Sequence, residues 1–121
     1  MNHALIDSNI LIDFLAADPR AMDELARYTD RYISVINWIE VMAGVVPDEQ
    51  AATERTLSAF ERIELTEPIA DRAATLRRER RLKLPDAIIQ ATAQIGDLLL
   101  VTRNTKDFPE SLDGVRNPYK I

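Results

Sequence analysis

Four consecutive apolar residues, Leu98 to Val101 (LLLV), constrain this chain more than any other feature. A short run with no polar alternation reads as a strand covered on both faces, the situation of a sheet sandwiched between helices. His3 to Ile6 (HALI) repeats the pattern, and Asp7-Ser8-Asn9 follows it at once as a polar turn. Tyr32 to Val35 (YISV), Ile63 to Leu65 and, at an edge, Val115 to Asn117 read as further strands. Helices fill the intervals. Pro19 opens one through Tyr28, Ile36 to Val46 forms another stopped by Pro47, and two more cover Glu49 to Phe60 and Pro68 to Leu82. The last begins at Pro85-Asp86 and ends at Gly96. Strands alternating with helices predict an α/β fold, a three-layer α/β/α sandwich with a mostly parallel central sheet. With 121 residues, 46% of them hydrophobic, one domain spanning 1–121 with a single core is expected.

Several chemistries are excluded by what the chain lacks. It has no cysteine, which removes disulfides, zinc-thiolate sites, iron–sulfur clusters and thiol nucleophiles. A single histidine, His3, argues against a His-rich metal site or a Ser-His-Asp triad, and reads as an incidental polar residue at a strand start. Asp7 and Asp13 interrupt the only N-terminal apolar run, so it does not read as a signal peptide, and no stretch approaches the ~20 apolar residues of a membrane span. The expectation is a soluble, cytoplasmic protein. Its net charge of −5 argues against a general nucleic-acid coat. Between Ile69 and Lys83, however, Arg72, Arg77, Arg78, Arg80, Arg81 and Lys83 face only Asp71 and Glu79. This is either a solvated helix face or a local basic strip that guides a polyanion.

In open parallel sheets ligands bind outside the carboxyl ends of the strands, and acids stand at such places here. Asp7 directly follows the first apolar strand; it reads equally as a turn residue or N-cap. Glu40 shares a helix face with Ile36, Ile39, Ala43 and Pro47, which puts a carboxylate on or beside the apolar stripe with no base within one turn. Asp86 begins a helix, where Asp is a favoured N-cap, although Ile89 stands where a capping box would want Glu or Gln. Asp107 lies in the loop after LLLV. Four carboxylates converging on one cleft repel unless a divalent cation neutralises them, and oxygen-only ligands suit Mg²⁺ or Mn²⁺.

These residues sit in strings with a resemblance. LIDSNILIDFL, ISVINWIEVMAG and LKLPDAIIQATAQIGDLLLVTRNTKDF resemble, in order, the three acidic motifs of PIN-domain nucleases, and GVRNPY is similar to their last edge strand. The resemblance spans nearly the whole chain and is greatest to VapC-type toxins of bacterial toxin–antitoxin pairs. Asn37 departs from it, standing where a Ser or Thr is expected, and touches only a secondary hydrogen bond. The resemblance implies a PIN-like fold and a metal-dependent endoribonuclease using Mg²⁺ or Mn²⁺. It implies Asp7 and Asp86 as principal metal ligands and Glu40 and Asp107 as completing the pocket, directly or through water. Ser8, Asn9, Thr102 and Asn104 would orient the carboxylates. Arg77, Arg78, Arg80, Arg81 and Lys83 become candidate RNA contacts, and a homodimer with a small antitoxin becomes the expected assembly. Trp38, two residues from Glu40, belongs to another helix face and reads as core or dimer packing rather than base stacking.

Two rivals stand beside this reading. A phosphatase or phosphoacceptor domain would use Asp7 as nucleophile, but the phosphatase pattern wants a second Asp where Asn9 stands. A non-catalytic PIN-like binding module would not need all four acids.

Overall fold

The computed structural model describes residues 2–120. Five strands, β1 (His3–Ile6), β2 (Asp30–Ser34), β3 (Glu61–Ile63), β4 (Leu99–Val101) and β5 (Val115–Arg116), form one sheet in the order β3-β2-β1-β4-β5. Every neighbouring pair is parallel. The chain leaves β1 toward β2 and β3, then returns to lay β4 on the other side of β1. The gap between β1 and β4 is therefore the topological switch point, where strand connections diverge and leave a crevice at the carboxyl ends.

Six helices cover the sheet: α1 (Ser8–Leu15), α2 (Pro19–Leu25), α3 (Val35–Ala43), α4 (Gln50–Leu57), α5 (Glu67–Arg80) and α6 (Leu84–Ile95), with a 3₁₀ turn at Pro47–Glu49. Alternate residues of the central strands feed two cores. Leu5 and Leu100 pack with Ile69, Leu76 and Ile89 on the side of α5 and α6. Ala4, Ile6 and Val101 pack with Ile10, Leu11 and Leu25 on the other side. Both apolar strands are thus buried on both faces, as LLLV and HALI predict. Among the described residues no helix is long and apolar enough to cross a membrane.

Two local expectations are corrected, and a third is resolved in favour of one of its two readings. Asp7-Ser8-Asn9 is not a free-standing turn: Asp7 is the N-cap of α1, accepting from the Ser8 amide at 2.8 Å. A helix therefore follows β1 immediately and presents Ser8 and Asn9 beside Asp7. Asp86 is not an N-cap. Lys83 holds that position without a side-chain cap, and Asp86 is the third residue of α6. The Ile36/Ile39/Ala43/Pro47 stripe is not the core face of α3. Ser34 and Asn37 form a reciprocal capping box, and this turns Asn37 and Val41 inward. Ile39 is left 51% exposed, and Glu40 beside it is exposed too.

Candidate active site

Asp7 sits at the switch point, its own backbone N–H donating to the Val101 carbonyl of β4 at 2.9 Å. Its side chain is buried and held at both oxygens. Oδ1 accepts from the Ser8 amide (2.8 Å) and Asn37 Nδ2 (3.3 Å), and Oδ2 from Thr102 Oγ1 (2.6 Å) and Asn9 Nδ2 (3.3 Å). Burial nevertheless pushes its pKa above the ordinary carboxylate value. Thr102 is fixed in turn, accepting from the Asn104 amide at 3.0 Å and from Asn9 Nδ2 at 3.3 Å. A carboxylate supported this way has one rotamer and little freedom to reorganise.

Glu40 is reached from the same network. Asn37 Nδ2 donates to Ser8 Oγ at 3.0 Å, and Ser8 Oγ donates to Glu40 Oε1 at 2.6 Å. Ser8 therefore links the exposed Glu40 to the buried Asp7. Asn37, whose side chain is wholly buried, is the functional support that sequence reading undervalued. Its Oδ1 accepts from the Ser34 amide at 2.9 Å while its Nδ2 serves Asp7 and Ser8. The spacing Ser34-x-x-Asn37 at a strand-to-helix junction was the signal available. Asn37→Ala removes the cap acceptor and both donors, and should cost about 1–3 kcal/mol. Urea denaturation checks this, and a midpoint equal to wild type would show that the network supports nothing.

Asp86 and Asp107 complete the cluster. Burial, then the charges of Asp107, Asp7 and Glu40, then a hydrogen bond with Asp107, raise the Asp86 pKa to about 6. The charges of the other three acids thus act on Asp86. Asn104 clasps Asp107, Nδ2 donating to its Oδ2 at 3.1 Å and Oδ1 accepting from its amide at 3.2 Å. Asn117, at the end of β5, ties both ends of this loop by donating to the carbonyls of Thr102 (2.9 Å) and Phe108 (3.2 Å).

Other candidates fall outside. His3 pairs with Asp30 at 2.7 Å at the strands' amino ends, away from the acids. Trp38 packs against the core on the α1–α4 side with Arg62 over its ring. Arg77, Arg78, Arg81 and Lys83 are exposed on the last turn of α5 and the link to α6. Arg80 is not: its guanidinium donates to Gln90 Oε1 and to the Asp107 carbonyl, which corrects its reading as part of a free strip. Among the described residues no three His, Asp or Glu side chains form a ready-made ligand set. The donor chemistry still suits a hard divalent cation, being all oxygen and mutually repulsive.

Comparison with known proteins gives the family. Residues 4–110 match the model of the PIN domain. The chain belongs to the PIN-domain family. This PIN domain is 34% identical over 125 residues to Ribonuclease VapC10 of Mycobacterium tuberculosis, covering 97% of this chain and 93% of that protein. A toxin-antitoxin complex from Klebsiella pneumoniae contains a chain 47% identical to it, with a TM-score of 0.91 and coverage of 98% and 99%. FitAcB from Neisseria gonorrhoeae shares the fold at 24% identity, with a TM-score of 0.80 over 95% of this chain and 97% of that one.

Proposed function

We propose that this PIN domain is a metal-dependent endoribonuclease, the toxin of a toxin–antitoxin pair. The observation that carries the reading is the hydrogen-bonded network that holds Asp7 at the β1/β4 switch point and reaches Glu40, with Asp86 close enough to Asp107, Asp7 and Glu40 for their charges to raise its pKa. Its support from outside is likeness to a named ribonuclease and to a chain solved in a toxin-antitoxin complex. Asp7 and Asp86 would hold Mg²⁺ or Mn²⁺, with Glu40 and Asp107 completing the acidic wall. When bound, such an ion supplies Lewis-acid polarisation of a phosphodiester and lowers the pKa of water. The chain's own residues do the rest. Thr102, Asn9 and Asn37 keep Asp7 in one orientation. Ser8 aims Glu40, an exposed carboxylate able to accept a proton from an attacking water.

Exposed Arg77, Arg78, Arg81 and Lys83 lie just ahead of Asp86 in the chain and would meet RNA phosphates. Neutralising two of them should weaken RNA binding and reduce its salt dependence without altering metal affinity. RNA as substrate places the work in the cytoplasm. An antitoxin fits the groove lined by Ile12, Leu15, Val41 and Val45, with Glu40 and Glu49 at its rim. An apolar helix there, carrying one guanidinium to the acids, would block the site. A homodimer is the proposed toxin assembly.

The deciding experiment is cleavage of RNA with Mn²⁺, with EDTA, and by Asp7→Asn. Cleavage that needs the ion and Asp7 supports the proposal. Hydrolysis of phosphate monoesters without RNA cleavage would favour the phosphatase rival, and neither activity would favour a binding module.

A further inference from the structure

Among Arg77, Arg78, Arg80, Arg81 and Lys83, Arg80 alone is half-buried. Its two acceptors are neutral: the buried Gln90 side-chain carbonyl and the main-chain carbonyl of Asp107. No carboxylate among the described residues lies within ion-pair distance of it. A cation that is merely neutralised would choose one of the nearby acids, so the contacts point to a geometric task.

The two acceptors define that task. Gln90 stands four residues after Asp86 on α6, one turn further along the same helix face. The Asp107 amide and carboxylate are already clasped by Asn104, and Asn117 holds the loop from the β5 side. The Arg80 bond to the Asp107 carbonyl fastens the main-chain oxygen of that residue and ties it to α6.

We propose that Arg80 is a positioning residue: by bridging Gln90 and the Asp107 carbonyl, it sets the separation between the Asp86 and Asp107 carboxylates on which divalent-cation binding depends. This rests on the metal-dependent reading of the site. Guanidinium suits the role because its planar fork reaches two acceptors in fixed directions, whereas a lysine ammonium is a point charge on a flexible stem.

The test compares wild type with Arg80→Lys, Arg80→Ala and Gln90→Ala, reading the Mn²⁺ concentration at half-maximal thermal shift alongside kcat and KM for RNA. Arg80→Lys keeps the charge and guards against a variant that does not fold. Each substitution should raise the Mn²⁺ midpoint and lower kcat, by about ten- to a hundredfold for Arg80→Ala, as loss of a partner behind a metal ligand does. KM should stay unchanged. Arg80→Lys combined with Gln90→Ala should be no worse than Arg80→Lys alone, because both break one bridge.

A lower melting temperature with an unmoved Mn²⁺ midpoint and kcat would reduce Arg80 to fold support and overturn the proposal. So would a raised KM with kcat intact and a salt slope lower by about one, the signature of a phosphate contact. If wild type responds to Mn²⁺ but cleaves no RNA, the ribonuclease reading fails while the midpoints still decide the role of Arg80. A wild type without any Mn²⁺ response overturns both.

Discussion

Asp86→Asn is expected to abolish RNA cleavage while its metal-free form melts no lower than metal-free wild type near pH 8. The carboxylate at the third position of α6 gains ~0.3–1 kcal/mol from the helix N-terminus. Against this, burial and the charges of Asp107, Asp7 and Glu40 raise its pKa from 3.8 to about 6. The folded state therefore binds the proton more tightly than the unfolded chain. The stability so contributed is complete below the unfolded pKa and is lost as pH rises through about 6. Once solvent screening of this half-buried group is allowed for, the loss is on the order of 1–2 kcal/mol. Metal-free wild type should thus melt lower at pH 7 than at pH 5, and Asp86→Asn should flatten that slope. Mn²⁺ should stabilise wild type by mass action, ~2.7 kcal/mol at a hundredfold excess over the dissociation constant, and the variant far less. An active variant with the wild-type Mn²⁺ shift would defeat the proposed role of Asp86.

Arg116→Leu should produce the largest loss of stability away from the acids, about 2–4 kcal/mol. Glu24 on α2 is 5% exposed and receives Arg116 at both oxygens, at 2.6 and 3.0 Å, with the Tyr28 hydroxyl as a further donor. Burial alone would raise the Glu24 pKa, but Arg116 and Tyr28 outweigh it and hold the carboxyl below its ordinary value. In wild type this pair's contribution is present above the unfolded carboxylate pKa and is lost as pH falls through the depressed folded value. Removing Arg116 leaves only Tyr28 and the more distant Arg27 to oppose burial, so the variant should lose less stability than wild type as pH drops. Replacing both residues with Leu should recover much of the loss, since the penalty arises from a buried charge deprived of its two-oxygen partner. Urea midpoints at pH 5 and pH 8 check both statements, and a loss confined to a few tenths of a kcal/mol would show the pair to be solvated in practice.

The elements legible in the sequence were those written in apolar runs and stop residues. HALI and LLLV became the paired central strands, and Gly96 ended α6 as its spacing predicts. Helix α1 was illegible because Asp7-Ser8-Asn9 carries turn chemistry, and only a side chain folded back onto the Ser8 amide distinguishes an N-cap from a turn. The phase of α3 was misread for a related reason. Ile36, Ile39 and Ala43 make an apolar stripe, but the Ser34–Asn37 capping box sets the rotation, leaving Ile36 half-buried against the core and Ile39 and Ala43 outside. Of the site, the four acids were visible as residues in odd places, since each follows a strand or begins a helix or interrupts a stripe. Their supports were not. Asn37 looked like a lapse from a motif, and Arg80 like one of several solvated bases, because spacing along a chain does not tell where a long polar side chain ends.

The central place of β1 has a consequence for the growing polypeptide. Ala4, Leu5 and Ile6 find their second neighbours in Leu99, Leu100 and Val101, nearly a whole chain later. A chain made from its N-terminus already holds Asp7, Glu40 and Asp86 when Ile95 is added, yet Thr102 is absent and nothing can close on Asp7 from that side. Such distant pairing comes late in folding, because the long loop must close before the contact rewards it. Synthesis of the acids and completion of the support around Asp7 are thereby separated in time.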